Sequence, residues 1–460
     1  MNEKRTDDRH SIARVLIIVA LVTVALSAGV SLLENHIASK RAQIEIQRRL
    51  DAIRAAGQPV TAQDLAKLYP NPPPEHDAAL LLKPALSAMV VPKDSKELPL
   101  FGAALPPGTA PLEKPMRDEI ELWVNQNQKA FDSIPTEKLK GAWIGSGISG
   151  GFTNFQNVLK SKIHSLDRLL CLDAISQAES KHPSEAIHSL QQALAVEATC
   201  ENEWPIDLMI RTIEENMFFE SLEFLINHLQ LSNDDLTTVE RSLPHDNTNG
   251  LTEILISERC HQIWGMELVG EKAKRGTMSS GSSWHRVSDW FNLISGKVYR
   301  DSDFELLLDR SAQRIAATEL PFKPCLDKLE NLKPGIESDG RPGSLALELA
   351  EGSVNIIPGF ARENYEGIAH LRIIRAALGV EHWRLAHNGN VPDSLAKLAP
   401  DCFPAIPNDP FDEKPLRYKK LAHGYVIYSI GSDLTDDGGK EKPADAKETD
   451  HYDITFTVER

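Results

Sequence analysis

The stretch VLIIVALVTVALSAGVSLL, from Val15 to Leu33, contains no charged side chain. A helix rises about 1.5 Å per residue, so this segment nearly spans a hydrocarbon core about 30 Å thick. It predicts a transmembrane signal-anchor at 15–33, with residues 1–14 as a cytoplasmic tail. The alternative is a cleaved signal peptide, for which Ala25-Leu26-Ser27 offers a small-residue site. The apolar run exceeds the roughly 7–15 residues usual in such peptides. Lys4, Arg5, Arg9 and Arg14 precede the segment, and Lys40, Arg41, Arg48 and Arg49 follow it. The positive-inside count is thus nearly balanced. We read the chain as single-pass, with its short N-terminal tail in the cytoplasm and the large remainder across the membrane.

Helical periodicity continues past the apolar run. Ile46, Leu50 and Ile53 recur at helical spacing and predict a stalk helix over 34–56, stopped at Gly57 with Pro59 behind it. Residues 57–154 read as a Pro/Gly-rich irregular region with short helices near Thr61–Leu68 and Asp77–Met89. Residues 155–360 read as a helical domain. In it, AISQAESKHPSEAIHSLQQAL is similar to one tetratricopeptide-type hairpin, with no copy one period later. Pro205 opens a third long helix, and Ser232 with Asp235 forms a capping pair for the next. The tail, 361–460, begins with a helix over Glu366–His387 that Asn388-Gly389 stops. Short β-type runs follow at Leu416–Lys419 and Gly424–Tyr428, and Ile454, Phe456 and Val458 alternate with threonines. The predicted fold is therefore mainly α. It has an N-terminal transmembrane helix, an all-helical middle domain and a small α+β C-terminal module, a long helix packed on a three-stranded antiparallel sheet. The helical domain is the expected surface for protein partners.

The net charge of −16 argues against nucleic acid as a partner. Cys171, Cys200, Cys260, Cys325 and Cys402 form no Cys-x-x-Cys motif and read as inert buried thiols. Gly145, Gly147 and Gly150 match Gly-x-Gly-x-x-Gly, but without the strand–loop–helix frame that a dinucleotide needs. Glu214 and Glu215 read as a solvated helix face, and His182, His188 and His228 as surface or capped histidines. Cys260 and His261 are sequence neighbours and do not face each other on a helix. No nucleophile, base and oxyanion site come together in the sequence. No catalytic or cofactor-binding residue is predicted, and a hydrolytic enzyme assembled from distant residues is kept as an alternative.

The loop GSDLTDDGGKEKPADAKETD after Tyr428 concentrates acids. Calcium takes 6–8 oxygens in flexible geometry, from carboxylates, carbonyls and water. The spacing is not that of an EF-hand. From composition alone, a solvated loop and a cation site both stay open.

From Leu371 to Val458 the chain resembles the globular part of major pseudopilins of type II secretion systems. The matching pieces are a long helix, NGNVPDSLAKL, PNDPFDEKPLRY, GYVIYSIGSD, DDGG and a closing DHYDI. The resemblance implies a helix packed on a small sheet and calcium as the bound ion. It implies the Ile430 carbonyl and Asp433 as ligands, with Asp450 and Asp453 as the later pair. Asp436 and Asp437 are further candidate ligands. The membrane segment lacks the family's prepilin-peptidase site, since Arg14 leads into VLIIVALV without the Gly, Phe and Glu of that site. The resemblance thus does not imply assembly into a pseudopilus. An accessory component of a type II secretion-like system is the alternative it suggests. The whole chain also resembles membrane-anchored bacterial envelope proteins with an N-terminal anchor, a helical middle and this tail. That likeness implies a bacterial inner-membrane location, with a cytoplasmic N-terminus and a periplasmic bulk, and it implies no activity.

Overall fold

In the computed structural model the apolar segment lies within α1 (Glu3–Ala55), one continuous helix of 53 residues. It ends where Gly57 takes a φ of 76° and donates back to the Arg54 carbonyl. The structure describes residues 3–92, 98–145, 157–200, 205–275, 300–332, 337–338, 341–342, 344, 347, 351–352, 354–399, 403, 405–441 and 452–460. Among the described residues no helix is long and apolar enough to cross a membrane. Of the described side chains in the uncharged run, Ile18, Leu21, Leu26 and Leu33 are each more than half exposed.

The helices follow in order: α2 (Ala62–Leu68), α3 (Ala78–Ala88), α4 (Lys114–Phe131), α5 (Thr136–Leu139), α6 (Asn157–Glu179) and α7 (Pro183–Glu197). Then come α8 (Pro205–His228), α9 (Asn233–Ser242), α10 (Gly250–Arg275), α11 (Asp301–Ala317), α12 (Phe322–Asn331) and α13 (Ile357–Ala386). The tail strands are β1 (Arg417–Leu421), β2 (Gly424–Ser429) and β3 (Ile454–Glu459), antiparallel in that order with β2 central. A separate two-residue ladder pairs Glu337–Ser338 with Arg341–Pro342.

The chain divides into two compact units. The smaller comprises residues 1–60, 262–310 and 335–351. There Ile46 and Leu50 on α1 share a core with Ile263, Met266, Phe304 and Leu307. Arg49 pairs with Asp309 at 2.6 Å, and Arg310 with Glu351 at 2.8 Å.

The larger unit comprises residues 61–261, 311–334 and 352–460. The α6–α7 hairpin turns through Lys181 in the left-handed region (φ 63°), with Pro183 in the first turn of α7. Ile163, Leu166 and Leu170 on α6 and Leu190 on α7 are buried in the same core. Each such side chain contributes about 1.5–3 kcal/mol by leaving water. Ser232 and Asp235 complete a reciprocal capping box at α9. Asn388 and Gly389 take positive φ, and the Gly389 N–H closes on the Arg384 carbonyl at 2.9 Å, which ends α13.

The strands lie within two residues of expectation. Leu421 pairs with Gly424 across a two-residue turn. Gly424 is required there, because a Cβ would sit 1.7 Å from the Val458 carbonyl oxygen. The sheet packs on α13, where the buried Tyr425 hydroxyl donates to Glu381 at 3.0 Å.

Two stretches carry more helix than expected. α13 starts at Ile357 rather than Glu366, since Pro358 fits a first helical turn and Phe360, Ala361 and Asn364 are buried. α4, 18 residues long, lies within the stretch read as irregular. Its Pro115 also sits in a first turn, and Ile120, Val124, Asn127 and Phe131 form one buried stripe.

Candidate functional site

The expected ligands cluster around the end of β2, and a loop in front of the sheet builds that corner. Asp409 is fully buried. Its carboxylate accepts from the Phe411 N–H at 3.0 Å, the Ser429 hydroxyl at 2.9 Å and the Ile430 N–H at 2.9 Å. Arg417, opening β1, meets the same carboxylate at 2.5 Å and forks onto Asp412 at 2.5 and 3.1 Å. A planar guanidinium suits two carboxylates at once. Burial works against ionisation of Asp412. Hydrogen bonds from Arg417 and Lys414 outweigh it, so the carboxyl lies below its usual range. Ile430 is held through its backbone, with its side chain buried in a cluster with Phe322, Leu326, Ala369 and Phe411.

The acidic loop then turns twice. Asp433 and Asp436 are exposed, and each carboxylate accepts an N–H two residues on. The donors are Thr435 at 3.0 Å and Gly438 at 2.9 Å. These local turns give the Thr435 and Gly438 N–H groups an acceptor within the loop itself. Asp436 also lies 3.9 Å from the Arg417 guanidinium, which links the turn to the Asp409 node. Gly439 takes φ 69°, and a Cβ there would sit 2.8 Å from the Tyr428 ring. Only glycine lets the chain lie flat on that ring. Burial first, and then the Asp436 charge, pushes the Tyr428 hydroxyl up to about 12.

Asp453 comes to this turn from the start of β3. It is only 4% exposed, and its Oδ2 accepts from the Gly439 N–H at 2.8 Å. Its Oδ1 is buried with no hydrogen-bond partner among the described residues. Burial pushes the Asp453 carboxyl up. The N–H groups of Gly439 and Asp437 oppose that, and the charges of Asp436 and Asp437 add to it.

The structure thus brings Asp453 to the Asp436–Gly439 turn and connects that turn to the corner at Ile430. Asp433 stays at the exposed turn before it. Asp450 lies outside the described residues, as do Gly147, Gly150 and Cys402. Among the described residues no group of three His, Cys, Asp or Glu side chains is placed to hold a metal ion.

Elsewhere the sequence reading needs one correction. Glu214 and Glu215 are not on a solvated face: Glu214 is 1% exposed and 3.3 Å from His164, and Glu215 is half-buried and 3.4 Å from Arg211. α8 packs against both α6 and α13, which buries the side of the helix that carries Glu214. Nearby, the buried Lys160 pairs with Asp207 at 2.8 Å. Cys171, Cys260 and Cys325 are buried, as expected, and Cys200 is half-buried. Burial raises the Cys260 thiol to about 12, which leaves it protonated and unreactive.

Sequence reasoning missed Asp409 and Arg417 as the organising pair. The signal was present in PNDPFDEKPLRY, where an Asp before Pro-Phe is followed by an Arg at a strand start. No protein family, no characterised protein and no solved structure matches the chain.

Proposed function

We propose that this chain is a membrane-anchored envelope protein with a helical interaction scaffold and a pseudopilin-like tail that takes up calcium beside Asp453. The observation that carries the reading is α1. Large apolar side chains project from an uncharged run of that helix into solvent, where a lipid environment would cover them. The scaffold reading draws on the helical core of the larger unit. The calcium reading draws on the buried, unpartnered Oδ1 of Asp453 beside two further carboxylates.

The test is alkaline carbonate extraction of membranes holding the full chain, beside a chain that starts at residue 34. The full chain is expected to stay with the membrane pellet and the shorter one to be released. Release of the full chain would overturn the anchor.

A further inference from the structure

A cavity of 1020 Å³ in the larger unit is lined by α8, α13, the start of β3 and the loop Gly102–Gly108. Helical spacing explains its chemistry. Ile213, Asn216, Glu220, Glu223 and Asn227 recur every three or four residues on α8, and Glu363, Glu366 and His370 do so on α13. Glu441 adds a fifth carboxylate, and no Lys or Arg is among the described lining residues. Other carboxylates of this unit do have cationic partners: Asp246 meets Arg372 and Arg375, and Glu381 meets Arg384 and Arg460.

Several polar groups at the cavity lack a charged partner among the described residues. Glu220 accepts from the Asn216 amide at 3.2 Å, and Glu223 from the Thr457 N–H at 3.2 Å. Glu363 Oε2 is buried with no hydrogen-bond partner. His370 is 8% exposed, and its Nδ1 has no partner either. Burial lowers His370 to about 4, so at neutral pH it is an uncharged imidazole with a lone pair to offer. Burial, and then the neighbouring Glu441 and Glu220 charges, hold Glu223 well above its usual range.

The geometry restricts the occupant. The carboxylates are spread over two helices and a loop, and no three described side chains are placed around one metal position. The edge of β3 is not open to an added peptide strand, because Glu223 and Asn227 already bond its Thr457 and Glu459 backbone. Between the carboxylates lie Met209, Ile213, Met217 and Phe224, which suit methylene groups. We infer that the cleft binds a linear aliphatic polyamine, its separated ammonium groups on the glutamates and its methylenes on the apolar wall. This inference does not depend on the anchor or on calcium.

The probe is spermidine, titrated by calorimetry into the full chain in detergent at two salt concentrations. One-site binding is expected. Glu363→Gln and Glu223→Gln should each weaken it about ten-fold or more, as loss of a charge-assisted hydrogen bond does. Thr455→Lys, which brings an ammonium to the cavity wall, should abolish it. Asp433→Asn, on the separate exposed turn, should leave it unchanged. Equal loss in Asp433→Asn, or undiminished binding in Thr455→Lys, would show general attraction to an acidic chain and overturn the proposal. So would a lysine-rich peptide that binds where millimolar spermidine does not.

Discussion

Asn227 on α8 and Thr457 on β3 are joined side chain to main chain: the Asn227 amide donates to the Thr457 carbonyl at 2.8 Å. The same amide's oxygen accepts from the Glu459 N–H at 2.8 Å. One buried side chain thus pairs with the sheet edge as a neighbouring strand would, which protects an edge otherwise open to pairing. Asn227→Leu would leave two backbone groups unpaired. We expect a loss of about 2–4 kcal/mol, read as a lower denaturation midpoint. Unchanged stability would mean that water replaces the amide at no cost.

Asp409 is the second such node, and its environment sets the sign of the result. Asp409→Ala leaves the Arg417 guanidinium short of one partner and two N–H donors without an acceptor. Breaking one half of a buried pair costs about 3–5 kcal/mol. Asp409→Ala combined with Arg417→Met should cost less than the sum of the single changes, since the second removes the stranded charge. Additive losses in a double-mutant cycle would show that the pair is not coupled.

Two buried groups of the larger unit respond to pH in opposite directions. His370 is lowered to about 4 by burial, so the unfolded chain binds its proton first. Its contribution is fully present above the unfolded value near 6.5 and is lost as pH falls toward 4, to a limit of about 3 kcal/mol. Asp167 on α6 is raised well above its usual range by burial and then by the Glu214 charge, with Arg168 opposing. Its contribution is present at low pH and is lost as pH rises through the raised folded value. His370→Asn should therefore lose less stability than the parent between pH 7 and pH 4.5. Asp167→Asn should gain most at the alkaline end. Parallel pH curves for parent and variants, measured by urea denaturation, would contradict both assignments.

Local chemistry made part of this fold legible in the sequence. The Ser232–Asp235 box, the Pro205 start, the Asn388-Gly389 stop and the alternating Ile454, Phe456 and Val458 act within a few residues. They could be read without knowing any neighbour. Glu214 could not, because its burial depends on His164, 50 positions away. Asn227 could not either, since its partners lie 230 and 232 positions away. α4 was hidden for a different reason: the prolines before it suggested irregular chain, although Pro115 favours a helix start. In the acidic loop only the pseudopilin resemblance implied Asp436 and Asp453 as ligands of one ion. It did not indicate that backbone N–H groups would occupy several of the carboxylate oxygens.

Asp453 offers the most direct test of the tail. Its carboxylate is buried, one oxygen is unpartnered, and burial followed by the Asp436 and Asp437 charges disfavours ionisation. Without a cation, that arrangement destabilises the folded chain at neutral pH. Asp453→Asn should then raise the melting temperature of the calcium-free protein. With calcium the order should reverse. The parent should gain stability by mass action, about 2.7 kcal/mol at a hundred-fold excess over its dissociation constant. The variant, lacking the anionic oxygen, should gain little. Thermal melts of the full chain in chelator and in millimolar calcium separate the outcomes. If the variant is more stable in chelator and neither protein responds to calcium, Asp453 is a strained structural carboxylate and the loop is solvated. If the parent alone responds, the turn at Asp436–Gly439 is one wall of a cation site.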